Sequence, residues 1–236
     1  MKFLPLVASA CIAWASLPAF ASSDVPGSTP VYDIELDFSG DICTPTAGVA
    51  GAAACINGYF IGQDYGDVDG VVDTAHRTRH FGDLSLAEGS LQFWNNYSGS
   101  DYAAWGGSNG TAYVAEMVFT PAAGNRVSLQ SLSFGSYQGA ERTSTFMLLD
   151  AVTNQVLLSP TSFAVGASPY VVNFAGSISS AHGLVLRWGP DAYDVGLTNV
   201  QFSVAAVPEP ETWAMLVAGL ALMGTAARRR RSRSQD

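Results

Sequence analysis

Between Tyr32 and Phe38 the residues alternate without a break: Tyr32, Ile34, Leu36 and Phe38 fall on one face, Asp33, Glu35 and Asp37 on the other. A period of two belongs to a half-buried antiparallel strand. Further runs of strand-forming residues occur at Leu91–Trp94, Ala112–Thr120, Arg126–Phe134, Thr145–Asp150, Gln155–Leu158, Tyr170–Phe174, Gly183–Trp188 and Thr198–Val204. Asp150 to Gln155, with Thr153-Asn154 near its centre, reads as a hairpin connection. Away from the two ends, no long stretch keeps the apolar period of a helix. Many short strands separated by turn residues predict an all-β fold, a β-sandwich of jelly-roll type.

The two ends have a different pattern. Lys2 precedes a largely apolar stretch, Phe3 to Ala15, and Leu17-Pro18-Ala19-Phe20-Ala21 supplies small residues at a cleavage site. Residues 1–21 therefore read as a secretory signal peptide cut after Ala21. Cys11 raises a lipoprotein alternative, which Ala8 disfavours because leucine is usual three positions before the modified cysteine. At the other end, residues 207–212 are Val207-Pro208-Glu209-Pro210-Glu211-Thr212. The prolines keep this segment extended. Residues 213–227 are uncharged and rich in helix formers, and residues 228–236 open with Arg228, Arg229, Arg230 and Arg231. At about 1.5 Å per residue the apolar run reaches roughly 22 Å, short of a roughly 30 Å hydrocarbon core. The arginines would stop translocation by the positive-inside rule. Such a helix suits a tail that is held briefly and then removed, as in other processed anchors.

These parts, Pro208-Glu209-Pro210, the apolar run from Trp213 and the Arg228–Arg231 cluster, resemble the PEP-CTERM sorting signal of Gram-negative bacteria. The resemblance implies that an exosortase acts near Pro208-Glu209-Pro210, after signal peptidase has acted at the leader. It also implies transient inner-membrane anchoring, delivery to the envelope, outer surface or exterior, and an association with exopolysaccharide and biofilm matrix.

Between the signals, residues 22–206 form a body long enough for one domain. It holds seventeen acids against five arginines and no lysine, a net charge of −12, whereas the whole chain is at −9. That surface disfavours nucleic acid as a partner, while a cation or a neutral polymer is compatible with it. Cys43 and Cys55 remain after the leader is removed. In an oxidising compartment they read as one disulfide, worth about 3 kcal/mol in the chain-entropy model. A metal site is the alternative, though no second thiol or histidine is near either cysteine in sequence.

The candidate chemistry is sparse. Asp64, Asp67, Asp69 and Asp73, with Gly66 and Gly70 between them, make either a solvated acidic loop or a calcium site, although the spacing is not that of an EF-hand. His76 and His80 have the four-residue spacing of a zinc hydrolase, but Arg77 stands where that motif needs glutamate. That stretch reads instead as an exposed loop with ion pairs to Asp73 and Asp83. Trp94, Tyr97, Tyr102 and Trp105 are interleaved with Asn95, Asn96, Ser98, Ser100 and Asp101. Aromatic faces beside amide and hydroxyl groups suit a glycan surface, with core packing as the competing reading. Asn96-Tyr97-Ser98 and Asn109-Gly110-Thr111 match a glycosylation pattern that a bacterial sorting tail makes uninformative. The stretch Trp188 to Phe202 is similar to the last loop and strand of carbohydrate-binding jelly rolls.

No nucleophile elbow, phosphate loop or dinucleotide fingerprint occurs, and no cofactor other than calcium is suggested. The expectation is an exported, non-enzymatic protein with a structural or adhesive role linked to exopolysaccharide. A secreted carbohydrate-binding module is the alternative. A hydrolase has no motif behind it, and an ice-binding role lacks a regular Thr-x-Thr array.

Overall fold

The computed structural model describes residues 31–100, 102–107 and 112–207, with the helical positions Ala218, Leu220, Ala221 and Met223. The leader, Asp101, Asn109, Pro208, Glu209, Pro210 and Arg228 to Arg231 lie outside the described residues, as does most of the apolar run 213–227. Among the described residues no helix is long and apolar enough to cross a membrane.

Alternation of apolar residues sets the strands. In β9 (Asn125–Ser136) the inward side chains are Val127, Leu129, Leu132 and Phe134. The step of three between the leucines is absorbed by a bulge, since Leu129 faces Phe202 but Ser131 faces Gln201 on β14 (Val195–Ala206). The β14 strand lies between β9 and two shorter neighbours, β1 (Val31–Leu36) and β7 (Ala103–Trp105), and β12 (Tyr170–Ser180) closes the sheet beyond β9. Opposite it, the order is β11 (Val156–Val165), β10 (Arg142–Asp150), β13 (Leu184–Gly189), β8 (Tyr113–Pro121), β4 (Val72–His80) and β5 (Leu86–Glu88).

Eight of these strands, β1-β14-β9-β12 against β8-β13-β10-β11, have the jelly-roll order, with the chain changing sheets at every connection except the β10–β11 hairpin. The all-β sandwich expected from the hydrophobic pattern is the fold. Everything between β1 and β8 is an insertion. It widens one sheet with β4 and β5, and the other with β2 (Cys43–Thr44), β3 (Phe60–Ile61), β6 (Gln92–Trp94) and β7. The Cys43–Cys55 disulfide lies at the start of this insertion, with a Cα separation of 5.0 Å and Cys43 in the core.

One expectation fails here. The stretch around His76 and His80 is not an exposed loop but strand β4, paired along its length with β8. Its inward positions are Val72, Thr74, His76 and Thr78, so a buried face is made largely of polar residues. The hydroxyls are satisfied locally: Thr74 donates to the Tyr65 carbonyl at 2.7 Å and Thr78 to that of Ser90 at 3.0 Å.

The sandwich has two distinct poles. Val31 pairs with Ala205 and Ala206 with Asn125, so both ends of the domain meet at one of them. The Val207 N–H donates to the Gly124 carbonyl there at 2.7 Å. The start of β14 marks the other pole, about 40 Å away for 12 residues at ~3.3 Å each. Between them Phe134 contacts the rings of Phe146, Phe163 and Trp188, with centroids 5.6, 4.8 and 6.0 Å away. Truncating it would leave a cavity that this packing cannot fill. Phe134→Ala should therefore lower stability by about 3–5 kcal/mol, read by denaturant unfolding as a shifted midpoint at unchanged slope.

Candidate functional site

The aromatic residues singled out in the sequence separate into two places. Trp94, Tyr97 and Trp105 come together at the pole far from the chain ends, joined there by Tyr137, just past β9, and Tyr193, just before β14. Their rings meet edge to face. Trp94 stands at 80° to Trp105 and 81° to Tyr137, and Trp105 at 86° to Tyr193, with centroids 5.9, 6.5 and 4.9 Å apart. These are the favoured geometries of aromatic quadrupoles. The five side chains enclose a dimple of only about 10 Å³, room for about one water. Tyr102 is elsewhere, 41% exposed and packed on Phe93.

Much of this box is core. Trp105 is 5% exposed, and its indole Nε1 has no hydrogen-bond partner among the described residues. The Tyr97 hydroxyl donates to the Tyr193 carbonyl at 2.7 Å, and burial, then the Asp194 charge, hold that phenol protonated. Trp94, Tyr137 and Tyr193 are half-buried and form the accessible rim. The polar neighbours are occupied too. Asn95 is bonded to Asn57 through both side chain and backbone, and Ser98 Oγ accepts the Ser136 N–H at 3.0 Å. Asp191 and Asp194 flank Tyr193. Burial and then the Asp194 charge raise the Asp191 carboxyl above its ordinary value.

The acidic loop lies at the opposite pole. Asp67, Asp69 and Asp73 border an open cleft of about 550 Å³ with Thr120 to Ala122, and Asp64 points elsewhere, accepting the Gly51 N–H at 2.7 Å. Asp67 Oδ1 already accepts the Thr74 N–H at 2.7 Å. Among the described residues no group of three or more His, Cys, Asp and Glu side chains is close enough to hold a metal ion.

His76, just inside this loop, is fully buried, with its Nε2 3.0 Å from the Tyr65 carbonyl. That contact puts the proton on Nε2 and leaves Nδ1 without a partner. Burial lowers its pKa to about 4, against a smaller upward pull from the Tyr65 carbonyl, Asp67 and Asp64.

A Ser, His and Asp also meet in space, a grouping that sequence spacing hides. Ser180 Oγ donates to Asp150 Oδ2 at 2.6 Å, and His182 Nδ1 lies 3.2 Å from the same oxygen. This is not nucleophile-and-base geometry, because the serine proton points to the carboxylate and not to an imidazole. Asp150 Oδ1 meanwhile accepts from Val152 and Thr153. Burial raises the Asp150 carboxyl, but these bonds outweigh it and hold it well below the carboxylate range. The cluster locks the β10–β11 turn.

The body is a jelly-roll β-sandwich whose last strand ends where a second module starts. Residues 206–231 match the PEP-CTERM protein-sorting motif. The chain thus carries the tag of an exosortase substrate, an exported protein sorted through a membrane-anchored stage toward the cell envelope or surface. Ala206 is both the last residue of β14 and the first of the match, so no linker separates them. Among solved structures, an isomalto-dextranase of Arthrobacter globiformis T6 complexed with panose is similar at 11% identity and a TM-score of 0.33. The match covers 75% of this chain and 33% of that one, so the chain spans about a third of its length. No curated protein matches the chain.

Two outcomes follow from this geometry. Trp105→Ala should cost about 3–5 kcal/mol of stability, whereas Tyr102→Ala should stay within about 0.5 kcal/mol, both read by denaturant unfolding. For His76, the unfolded chain takes up its proton near pH 6.5 and the folded chain only near 4. Protons in that interval favour unfolding. Stability is full above about pH 6.5 and falls toward pH 4, by about 3 kcal/mol at most. Asp191, with its raised carboxyl, acts with the opposite sign, so the comparison must be between His76→Gln and the parent chain. The substitution should flatten the slope of stability against pH between 6.5 and 4.

Proposed function

We propose that this is a structural or adhesive protein of the extracellular matrix, held in or near exopolysaccharide, with no catalysis of its own. The leader is cut after Ala21, and an exosortase removes the tail near Pro208-Glu209-Pro210. The observation that carries the reading is the polarity of the sandwich. The sorting motif begins at the last residue of β14, and the aromatic rim of Trp94, Tyr137 and Tyr193 lies about 40 Å away at the other end of the same strand. A domain held at that end presents the rim outward. The same rim favours a second reading, a carbohydrate-binding module in its own right. Its shallow dimple suits the edge of one sugar better than an engulfed ligand.

Mass spectrometry of the mature C-terminus tests the processing. The product should lack Arg228 to Arg231, and replacing Pro208, Glu209 and Pro210 by alanine should leave full-length protein in the membrane fraction. Fractionation tests the matrix role. The exported protein should co-purify with the host's exopolysaccharide and become freely soluble in a strain that makes none. Identical fractionation in both strains would remove the adhesive reading. Retention by isolated polymer that Trp94→Ala weakens would favour the binding module.

A further inference from the structure

Glu116 is buried on the outer face of β8, its side chain 1% exposed, between the two strands that carry its partners. Arg77 on β4 and Arg187 on β13 stand directly opposite it in the pairing register. Arg79 reaches it diagonally with a two-pronged contact, Nε to Oε2 and Nη2 to Oε1, both at 2.9 Å. Arg187 Nε donates to Oε2 at 2.6 Å and Arg77 Nη1 to Oε1 at 3.5 Å. Burial raises the Glu116 carboxyl, but the bonds and charges of Arg79 and Arg187 outweigh it and keep the group ionised.

Three guanidinium groups thus share one carboxylate, a local charge of +2. They are three of the five arginines in a body that stands at −12. One carboxylate cannot satisfy three forks. Among the described residues, the Nη1 and Nη2 groups of Arg187 meet no acceptor, and neither is sealed from solvent.

Arg187 borders an open groove of about 440 Å³ across the outer face of this sheet, with Thr145, Met147, Pro160, Phe81 and Leu84. That volume falls in the range of ligand clefts, roughly 300–1,000 Å³. Arg79 builds the groove's wall as well, because its Nη1 donates to the Leu84 carbonyl at 2.9 Å and pins the loop after β4. Phe81 on that loop is 51% exposed, an aromatic ring left in water that lines the same groove as Arg187.

We propose that this groove binds a carboxylate-bearing polysaccharide, with the uronate on the paired Nη groups of Arg187 and a sugar face against Phe81. The planar fork of arginine matches a carboxylate with two parallel bonds. The apolar wall suits the C–H face of a pyranose. The −12 body argues for a chain in which charged sugars alternate with neutral ones: repulsion from distant acids is screened within about 8 Å at physiological salt, whereas a dense polyanion would meet many of them at once. The inference rests on the matrix reading above only in taking the ligand to be a glycan.

The test uses the purified exported protein and hyaluronan, in which glucuronate alternates with a neutral amino sugar. Dextran and carboxyl-reduced hyaluronan serve as uncharged controls. Hyaluronan should bind at physiological salt, and its carboxyl-reduced form should bind about tenfold less tightly. Arg187→Gln should lose about the same factor. Phe81→Ala should weaken binding severalfold with an unchanged melting temperature, and it carries the test should Arg187→Gln fold poorly. No binding of hyaluronan, equal binding of its carboxyl-reduced form, or parental affinity in Phe81→Ala would overturn the proposal. Preference for dextran that Trp94→Ala abolishes would also overturn it while leaving the matrix reading intact. Failure of the matrix reading would show instead in the fractionation of the host strains, with hyaluronan binding unaffected.

Discussion

The pairing of β14 is the constraint on which the rest of the molecule depends. Along one edge it is bonded to β9 from Val195 to Ala206, and along the other to β1 and β7. Its inward residues Val195, Leu197, Val200, Phe202 and Val204 are all buried. Burying a side chain of this size contributes about 1.5–3 kcal/mol. The last strand of the chain is therefore interior to its sheet, and the jelly roll cannot be completed until β14 is in place. The last residue of β14, Ala206, is also the first residue of the sorting motif.

The insertion between β1 and β8 builds the surfaces that the eight-strand framework lacks. The framework supplies β8, β13 and β10 as an outer face, and β4 brings Arg77 and Arg79 against it. A buried ion cluster of this kind adds little net stability, because desolvation offsets much of the attraction. Its effect is geometric. Glu116 holds Arg79, and Arg79 holds the Leu84 carbonyl, which ties the loop after β4 to the sheet. At the far pole the insertion contributes Trp94, Tyr97 and Trp105, and the framework contributes Tyr137 and Tyr193.

The strands from β8 onward were legible in the chain because their inward positions are large and apolar, as in Leu129, Phe134, Leu186 and Phe202. The β4 strand was not, since Thr74, His76 and Thr78 face inward and hydroxyls bonded to nearby carbonyls replace hydrophobic contacts. The strands β2, β3, β5 and β7 are two or three residues long, too short for any period, and are defined by their neighbours, whereas β6 was legible in the run Leu91–Trp94. Three members of the aromatic box could be picked out by their local density. Tyr137 and Tyr193 could not, because pairing of β9 with β14 is what brings them alongside. Arg77 and Arg79 looked like the solvated side of a loop, since only the register with β8 reveals a carboxylate between them.

The adjacency of Val31 and Ala205 bears on how the domain carries load. A pull between the far pole and Ala206 runs along β14, parallel to the strand. Backbone hydrogen bonds in an antiparallel ladder lie across the strands, so such a pull shears them together instead of opening them one after another. The β14 strand is held this way on both sides. A sandwich attached by this end would resist extension through a strand paired along both edges, as a tendon insertion does.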